Sequence, residues 1–426
     1  MKENKHHPAN NQTKKIKRLR VLISAYACEP GKGSEPGVGW NFSTEMAKHH
    51  DVWVLTRKNN RKAIEEEVSH NPIERLHLIY HALPKWARWW KKRGRGVQIY
   101  YYLWQLTAIS KVRKRHNVIG FDLSHHVTFV KYWAPSCLAW LKIPFIWGPV
   151  GGGEFTPKGL LSSLEIRGRI FEFVKLIAAR GGEWDPFVRR IAKKATVVFA
   201  STKDTAQRLN CMGLKNVQVQ TQIGMNEDEV ELKSSSNAGC IFISIGRMIH
   251  WKGFMLGLKA FSRLNEKTSQ YWFIGDGPCE HQLKKYVQEN GLKQRVHFFG
   301  SISHAEVQKK LSKADVLLHP SYHDSAGLVC LEAMALGKPV ICLDTGGPAF
   351  LIDQSSGIKC SIESESAAID SIQRGMELLQ NNNNFLMRLS KSSVDRVKSN
   401  FLWKTKVENF SDIYNEVNNE YRGINN

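Results

Sequence analysis

A chain of 426 residues, 42% hydrophobic and 23% charged, has an ordinary globular composition and enough length for two domains with cores of their own. Its net charge of +22 is unevenly placed: residues 1–200 hold 35 Lys and Arg against 15 Asp and Glu, and the remainder holds 26 against 24. No run reaches eighteen apolar residues, which excludes a bilayer-crossing helix, and the one-sided charge points the first half toward an anionic partner, either a membrane surface or a nucleic acid.

In chain order, residues 1–18 form a basic segment without an apolar stretch, expected to be disordered and not a secretory signal. From about residue 19, short β-rich runs alternate with helical patterns. "RVLISAY" (20–26), "DVWVLTR" (51–57), "LHLIYHA" (76–82), "FDLSHHV" (121–127), "IPFIWGP" (143–149) and "ATVVFAS" (195–201) read as strands. "VGWNFSTEMAKHH" (38–50) reads as a helix between the first two. Such alternation predicts parallel βαβ units. After the small polar break "ELKSSSNAG" (231–239) the series restarts with "CIFISIG", "YWFIGDG", "VHFFGS", "ADVLLHP" and "PVICLDT". The expectation is an α/β protein of two doubly wound, Rossmann-like domains facing across a cleft. Residues 19–230 form the first domain and 231–400 the second, with a helix over 401–426 packing back toward the first. Eight cysteines stand singly with no CxxC pair, which suggests buried, reduced thiols and no zinc ribbon.

Open α/β sheets hold ligands beyond the carboxyl ends of their strands, and three loops there carry unusual chemistry. "ACEPGKGSEPGVGW" (27–40) brings Gly31, Gly33, Gly37 and Gly39 to a helix start, suited to close approach of an anion. G-x-G-x-x-G and the P-loop pattern are both absent. The spacing of Gly33, Gly37 and Gly39 imitates a short-chain dehydrogenase loop, yet no Tyr has a Lys four residues later. "SIGRMIHWKGF" (244–254) sets Arg247 and Lys252 five apart at a strand end, a pair of cations fitted to a diphosphate. "SYHDSAGLVCLEAMALGKPV" (321–340) separates Asp324 from Glu332 by small and apolar residues. It reads as a loop entering a buried helix near Gly327 and Leu328. The helix start would favour a phosphate, and Glu332 would sit one turn inside, within reach of a vicinal diol.

The last two loops, with "IGDGP" (274–278) between them, resemble the nucleotide-sugar domain of the GT-B retaining glycosyltransferases, family 4. The resemblance covers most of the chain from about residue 20, closest in the second domain. It implies that Arg247 and Lys252 meet the donor diphosphate and that Gly327, Leu328 and Val329 supply backbone to phosphate. It further implies that Glu332, the second acid of the family's E-x7-E motif, meets the ribose. The first acid is here Asp324, one methylene shorter, which implies a shifted sugar contact, an altered sugar preference or reduced activity. In the first domain, "PGKGSEPGVGW" resembles the family's glycine-rich loop, and Gly33 is assigned to the donor. The family places a His after a first-domain strand to face the sugar. His125 and His126 both qualify and His126 is favoured, although the usual spacing could fall on Val127.

Glu154, beside the run Gly151–Gly153, either lines the acceptor side or marks a hinge-like connection. No Asp-x-Asp stands at a strand end, and the cluster Glu227-Asp228-Glu229 falls in a linker-like loop. No metal and no cofactor are therefore expected beyond the nucleotide-sugar substrate. Across residues 83–116, Trp86, Trp89 and Trp90 interleave with Lys85, Arg88, Lys91, Lys92, Arg93 and Arg95, which suits an anionic membrane surface. Nucleic acid is not an expected partner, because no binding module is recognisable. The sequence reading is a cytosolic retaining glycosyltransferase, peripheral on the inner face of a membrane. It would use a UDP- or GDP-type donor and a glycan or lipid-linked acceptor in cell-surface polysaccharide synthesis. The alternative is a non-catalytic sugar-nucleotide or glycan-binding protein of the same fold.

Overall fold

The computed structural model describes residues 18–84, 87, 96–233 and 239–425. Residues 1–17 of the basic N-terminal segment lie outside the described residues. So do Lys85, Trp86 and residues 88–95, which carry most of the basic–aromatic stretch.

Seven strands build the first sheet: β1 (Arg20–Ala25), β2 (Asp51–Arg57), β3 (Leu76–His81), β4 (Leu123–Thr128), β5 (Phe145–Val150), β6 (Val197–Ala200) and β7 (Gln218–Val219). Six build the second: β8 (Ile241–Ile245), β9 (Gln270–Ile274), β10 (Val296–Phe298), β11 (Val316–His319), β12 (Val340–Leu343) and β13 (Gly357–Cys360). The orders are β3-β2-β1-β4-β5-β6-β7 and β10-β9-β8-β11-β12-β13. Every pairing is parallel. In each sheet the winding reverses once, between β1 and β4 and between β8 and β11, so the loops leaving those four strands gather at a switch point.

The helices of the first half are α1 (Ser34–Met46), α2 (Arg61–His70), α3 (Val97–Ile119), α4 (Ile166–Glu183), α5 (Pro186–Lys194) and α6 (Lys203–Cys211). The second half adds α7 (Phe254–Ser262), α8 (Glu280–Glu289), α9 (His304–Lys313), α10 (Leu328–Ala335), α11 (Gly346–Leu351), α12 (Glu365–Asn381), α13 (Asn383–Asn400) and α14 (Trp403–Asn425). The two doubly wound α/β domains match the expected fold class.

Three details differ from the sequence reading. Helix α1 begins at Ser34, not Val38, because Gly33 caps it in an extended conformation and Pro36 falls in the first turn, where a missing N–H is harmless. Strands β7 and β13 carry too few apolar residues to stand out. Glu227–Glu229 closes into a 3-10 turn with a capping box from Asn226, not an open loop.

The packing does not follow chain order. Leu160 and Leu164, from the first half, are buried in the core of the second domain. Helix α14, from the far end, returns to the first domain. There Phe410 packs edge-on to Phe42 and Phe199, and Ser411 Oγ lies 2.9 Å from His50 Nε2. Arg422 pairs with Asp122 at 2.8 Å. Where the chain crosses between domains, Met225 and Leu402 form a bridge: Met225 N–H donates to Phe401 O and Trp403 N–H to Met225 O.

Candidate functional site

Two adjoining cavities open between the domains at the switch points. The larger, ≈ 810 Å³, is lined by Gly31, Lys32, Gly33 and Trp40 from the first domain and by His304, Leu328 and Glu332 from the second. The smaller, ≈ 250 Å³, is lined by Glu35, Lys131, Gly151 and Gly152 facing Asp324, Ser325 and Leu328. Leu328 opens α10 and borders both, so the acids at 324 and 332 fall on either side of that helix start.

Two glycines make this loop geometry possible. Gly253 has φ +64°, and a Cβ there would lie 1.9 Å from Pro320 O, so only glycine lets the loop after β8 press against the end of β11. That contact brings Lys252 Nζ to 2.6 Å from Asp324 Oδ2. Gly327, at φ +68°, makes the left-handed turn into α10.

Asp324 is heavily engaged. Its Oδ1 accepts from Ala326 N–H and Gly327 N–H, and its Oδ2 meets Lys252 and lies 3.3 Å from His319 Nε2. Burial would raise this carboxyl, but Lys252 and His319 overcome it and hold the group well below the usual carboxylate range. Asp324 thus braces the loop as well as lining the smaller cavity. Glu332 is less committed: its Oε1 lies 3.3 Å from His304 Nε2, and that contact raises the histidine above its ordinary range. Arg247 stands exposed at the carboxyl end of β8; it lines neither cavity, and its guanidinium has no ion-pair partner among the described residues. Gly33 borders the larger cavity with ordinary backbone angles, whereas Gly327 and Val329 border neither.

The histidine assignments need correction. His125 and His126 are interior to β4 rather than at its end, so their side chains point to opposite faces of a fully buried strand. His125 Nε2 meets Gly148 O at 2.6 Å and its Nδ1 meets Tyr414 Oη of α14 at 2.5 Å. His126 Nε2 lies 3.1 Å from Tyr101 Oη and 3.4 Å from Gln105 on α3. Burial pushes both imidazoles down to about 3, so they are neutral packing groups. Neither borders either of these two cavities.

Glu154 is a buried junction between domains. Its Oε1 accepts from Thr202 and Thr205 hydroxyls at 2.6 and 2.7 Å; its Oε2 accepts from Gly152 N–H and from Ser325 Oγ. Close by, Glu172 of α4 meets His323 at 3.0 Å, and Phe171, Trp251 and His323 stack in succession beside Lys252. The acceptor-side reading of Glu154 gives way to a clasp, since all four of its contacts are within the protein.

Sequence reasoning missed Glu35, Lys131, Trp40, Trp403 and His304. Glu35 accepts from Phe129 N–H at 2.5 Å, and burial raises its carboxyl. Its one visible signal was a carboxylate inside a glycine-rich loop. His304 sits on a helix far along the chain, with nothing in its neighbourhood to mark it.

Comparison with known proteins places these loops in context. Residues 228–395 match the family model described as glycosyl transferases group 1. A glycogen synthase of Thermodesulfovibrio yellowstonii is 29% identical over 205 residues, 47% of this chain and 40% of that protein. The 2-deoxystreptamine N-acetyl-D-glucosaminyltransferase of Niallia circulans is 27% identical over 48% of this chain and 57% of its own length. The lipopolysaccharide core biosynthesis glycosyltransferase LpsD of Rhizobium meliloti is 32% identical over 27% and 33%. The matches therefore span about a third to somewhat over half of these relatives' lengths. Among solved structures, sucrose-phosphate synthase from Thermosynechococcus elongatus aligns with a TM-score of 0.63 at 18% identity, over 94% of this chain and 99% of that one. Anabaena HepE in complex with UDP aligns at 0.59 and 15% identity, over 93% and 99%. These likenesses show the fold, the two-domain GT-B arrangement.

Proposed function

We propose that this chain is a glycosyltransferase, moving a sugar with retention from a UDP- or GDP-type donor to a glycan or lipid-linked acceptor. The observation that carries the reading is Glu332 and the start of α10 bordering a ≈ 810 Å³ interdomain cavity opposite the glycine-rich loop of the first domain. A nucleoside diphosphate has a negative end for the helix start and a ribose diol for the carboxylate. The match of residues 228–395, which carry this loop set, to the glycosyl transferases group 1 family supports the same reading.

In this mechanism Glu332 orients the donor through its ribose. Leu328 N–H, at the wall of both cavities, would stabilise the charge that builds on the departing diphosphate, together with Val329 N–H, Arg247 and Lys252, which border neither cavity in this structure and would have to turn toward the donor. Those cations and backbone dipoles supply the role a divalent metal would otherwise fill, so turnover is proposed to be metal-independent. Asp324 holds Lys252 in place at the border of the smaller cavity, where the transferred sugar would lie beside Lys131. A lipid-linked acceptor places the work at the inner face of a membrane, in the making of a cell-surface polysaccharide.

A second reading, a non-catalytic binder of sugar nucleotides, is favoured by two observations: Asp324 is saturated by protein partners, and no histidine among the described residues borders the smaller cavity. Thermal shift against UDP, GDP, ADP and their sugars identifies the donor, because a ligand bound only by the folded state raises Tm. Donor turnover in the wild type, lost in Glu332→Ala and Arg247→Ala and insensitive to EDTA, supports the enzyme. Nucleotide binding without turnover supports the binder, and loss of turnover in EDTA that added Mn²⁺ restores overturns the metal-free mechanism.

A further inference from the structure

Helix α4 is built the wrong way round for a globular surface. Its inward side carries Gly168, Glu172, Lys175 and Ala179, whereas Ile166, Ile170, Phe173, Val174 and Ile177 point outward and are between 56% and 75% exposed. At about 100° per residue the five outward side chains fall within an arc of about 100°. They form one continuous aliphatic–aromatic stripe of the helix, not scattered surface residues of the ordinary kind.

The charges are sorted around that stripe. The acids of this segment, Glu165, Glu172 and Glu183, all project from the opposite arc; Glu172 turns toward His323, and Glu183 toward Tyr132 and Arg208. Arg167 flanks the stripe on one side, and Arg169 and Arg180 flank it on the other, all exposed. Just beyond the helix end, Trp184 is 73% exposed with the Arg189 guanidinium over its ring at 4.4 Å. Helix α5 then adds Lys193 and Lys194 in its last turn.

We propose that the outward face of α4 is a docking surface for an anionic phospholipid bilayer. Aliphatic side chains in a stripe, cations along both borders and an indole at one end match the layered chemistry of that interface. Apolar groups enter the acyl boundary, cations meet lipid phosphate, and Trp sits at headgroup depth. A protein partner could cover the stripe, but flanking cations with the acids withdrawn to the far side favour a uniformly negative surface. The same helix touches the donor-side loops from its other face, through Phe171 on Trp251 and Glu172 on His323. A bilayer on one side of α4 would therefore lie one helix diameter from the loops that carry Lys252 and Asp324. The inference stands on the helix itself and does not depend on the donor chemistry proposed above.

The test is co-sedimentation of the full chain with vesicles of phosphatidylethanolamine and phosphatidylglycerol, beside vesicles of phosphatidylcholine alone. The wild type is expected to bind the anionic vesicles, less so as salt rises. The combined variant Ile170→Asp, Phe173→Asp, Ile177→Asp, at exposed positions that leave the fold intact, should weaken binding by about tenfold or more. Arg167→Glu with Arg180→Glu should weaken it to a lesser degree, and only at low salt. An unchanged Tm in each variant shows that folding is not the cause. Retained vesicle binding in the triple variant overturns the proposal. So does absence of binding in the wild type, including the case in which light scattering finds a dimer that the triple variant dissolves, which would make the stripe a contact between two copies of this chain.

Discussion

Ser325 donates its hydroxyl to Glu154 Oε2 at 2.5 Å, which ties the loop ahead of α10 to the glycine run after β5 across the domain boundary. The carboxylate is only 3% exposed and serves three further donors in its own domain. Replacing it by Ala strands Thr202, Thr205 and Gly152 N–H together. Buried donors left unpaired each cost roughly 1–3 kcal/mol, partly relieved by entering water, so Glu154→Ala should lower stability by about 3 kcal/mol. Ser325→Ala removes one donor and should cost about 1 kcal/mol. Chemical denaturation of both variants checks the ranking.

Lys252→Ala leaves the Asp324 carboxylate without its cation. Breaking a buried pair costs about 3–5 kcal/mol, but each side chain of this pair is 20% exposed, which reduces the expected loss to about 2 kcal/mol. The double variant Lys252→Ala, Asp324→Asn should recover part of that loss, because no charge is then stranded. Denaturant midpoints of Lys252→Ala, Asp324→Asn and the double variant decide whether the pair is coupled or merely adjacent.

Glu332→Ala should weaken nucleotide binding by about 10- to 100-fold, the range for losing hydrogen bonds to a charged acceptor. Glu332→Gln should fall between the two. Isothermal titration with the nucleotide found by thermal shift reads this directly. Equal affinity in all three proteins would remove Glu332 from the site.

Two contributions to acid sensitivity should fall in different pH windows. His125 and His126 are held neutral in the fold down to about 3, so between the ordinary histidine range near 6.5 and that value the unfolded chain binds more protons. Stability should therefore fall as pH drops through this interval, by at most about 1.4 kcal/mol per pH unit per histidine. His126→Gln should flatten the slope. Asp324 acts lower: its stabilisation is present above the unfolded value of 3.8 and lost as pH falls toward its depressed folded value. Asp324→Asn should lack that last decline. Stability curves from pH 8 to pH 2 separate the two effects.

The strands of both sheets, β7 and β13 apart, were legible because parallel, doubly covered strands read as short apolar runs, and Lys252, Asp324 and Glu332 drew notice because each follows such a run. The histidines misled for the same reason. "LSHHVT" looks like a strand that has ended in polar residues, but α3 and α14 each supply a hydroxyl partner that lets an imidazole be buried inside it. Those partners, Tyr101 and Tyr414, are respectively 25 and 289 positions away from the histidines they meet. Glu154 posed a similar problem: one of its donors lies 171 residues on, so a glycine-flanked acid could not be distinguished from a ligand group. The inverted polarity of α4 is visible only once the structure says which side of the helix faces in.

Because Leu160 and Leu164 lodge in the second core while Phe410 and Tyr414 complete the first, the linear halves of the polypeptide are not the physical halves of the molecule. A gene split at residue 230 would yield one fragment missing the lid over Phe42 and His125, and another with an unfilled socket where the two leucines belong. Neither piece is a natural expression unit. A faithful isolated first domain would need the final helix stitched back on, and any recombination with a relative would have to exchange that helix together with the amino-terminal sheet.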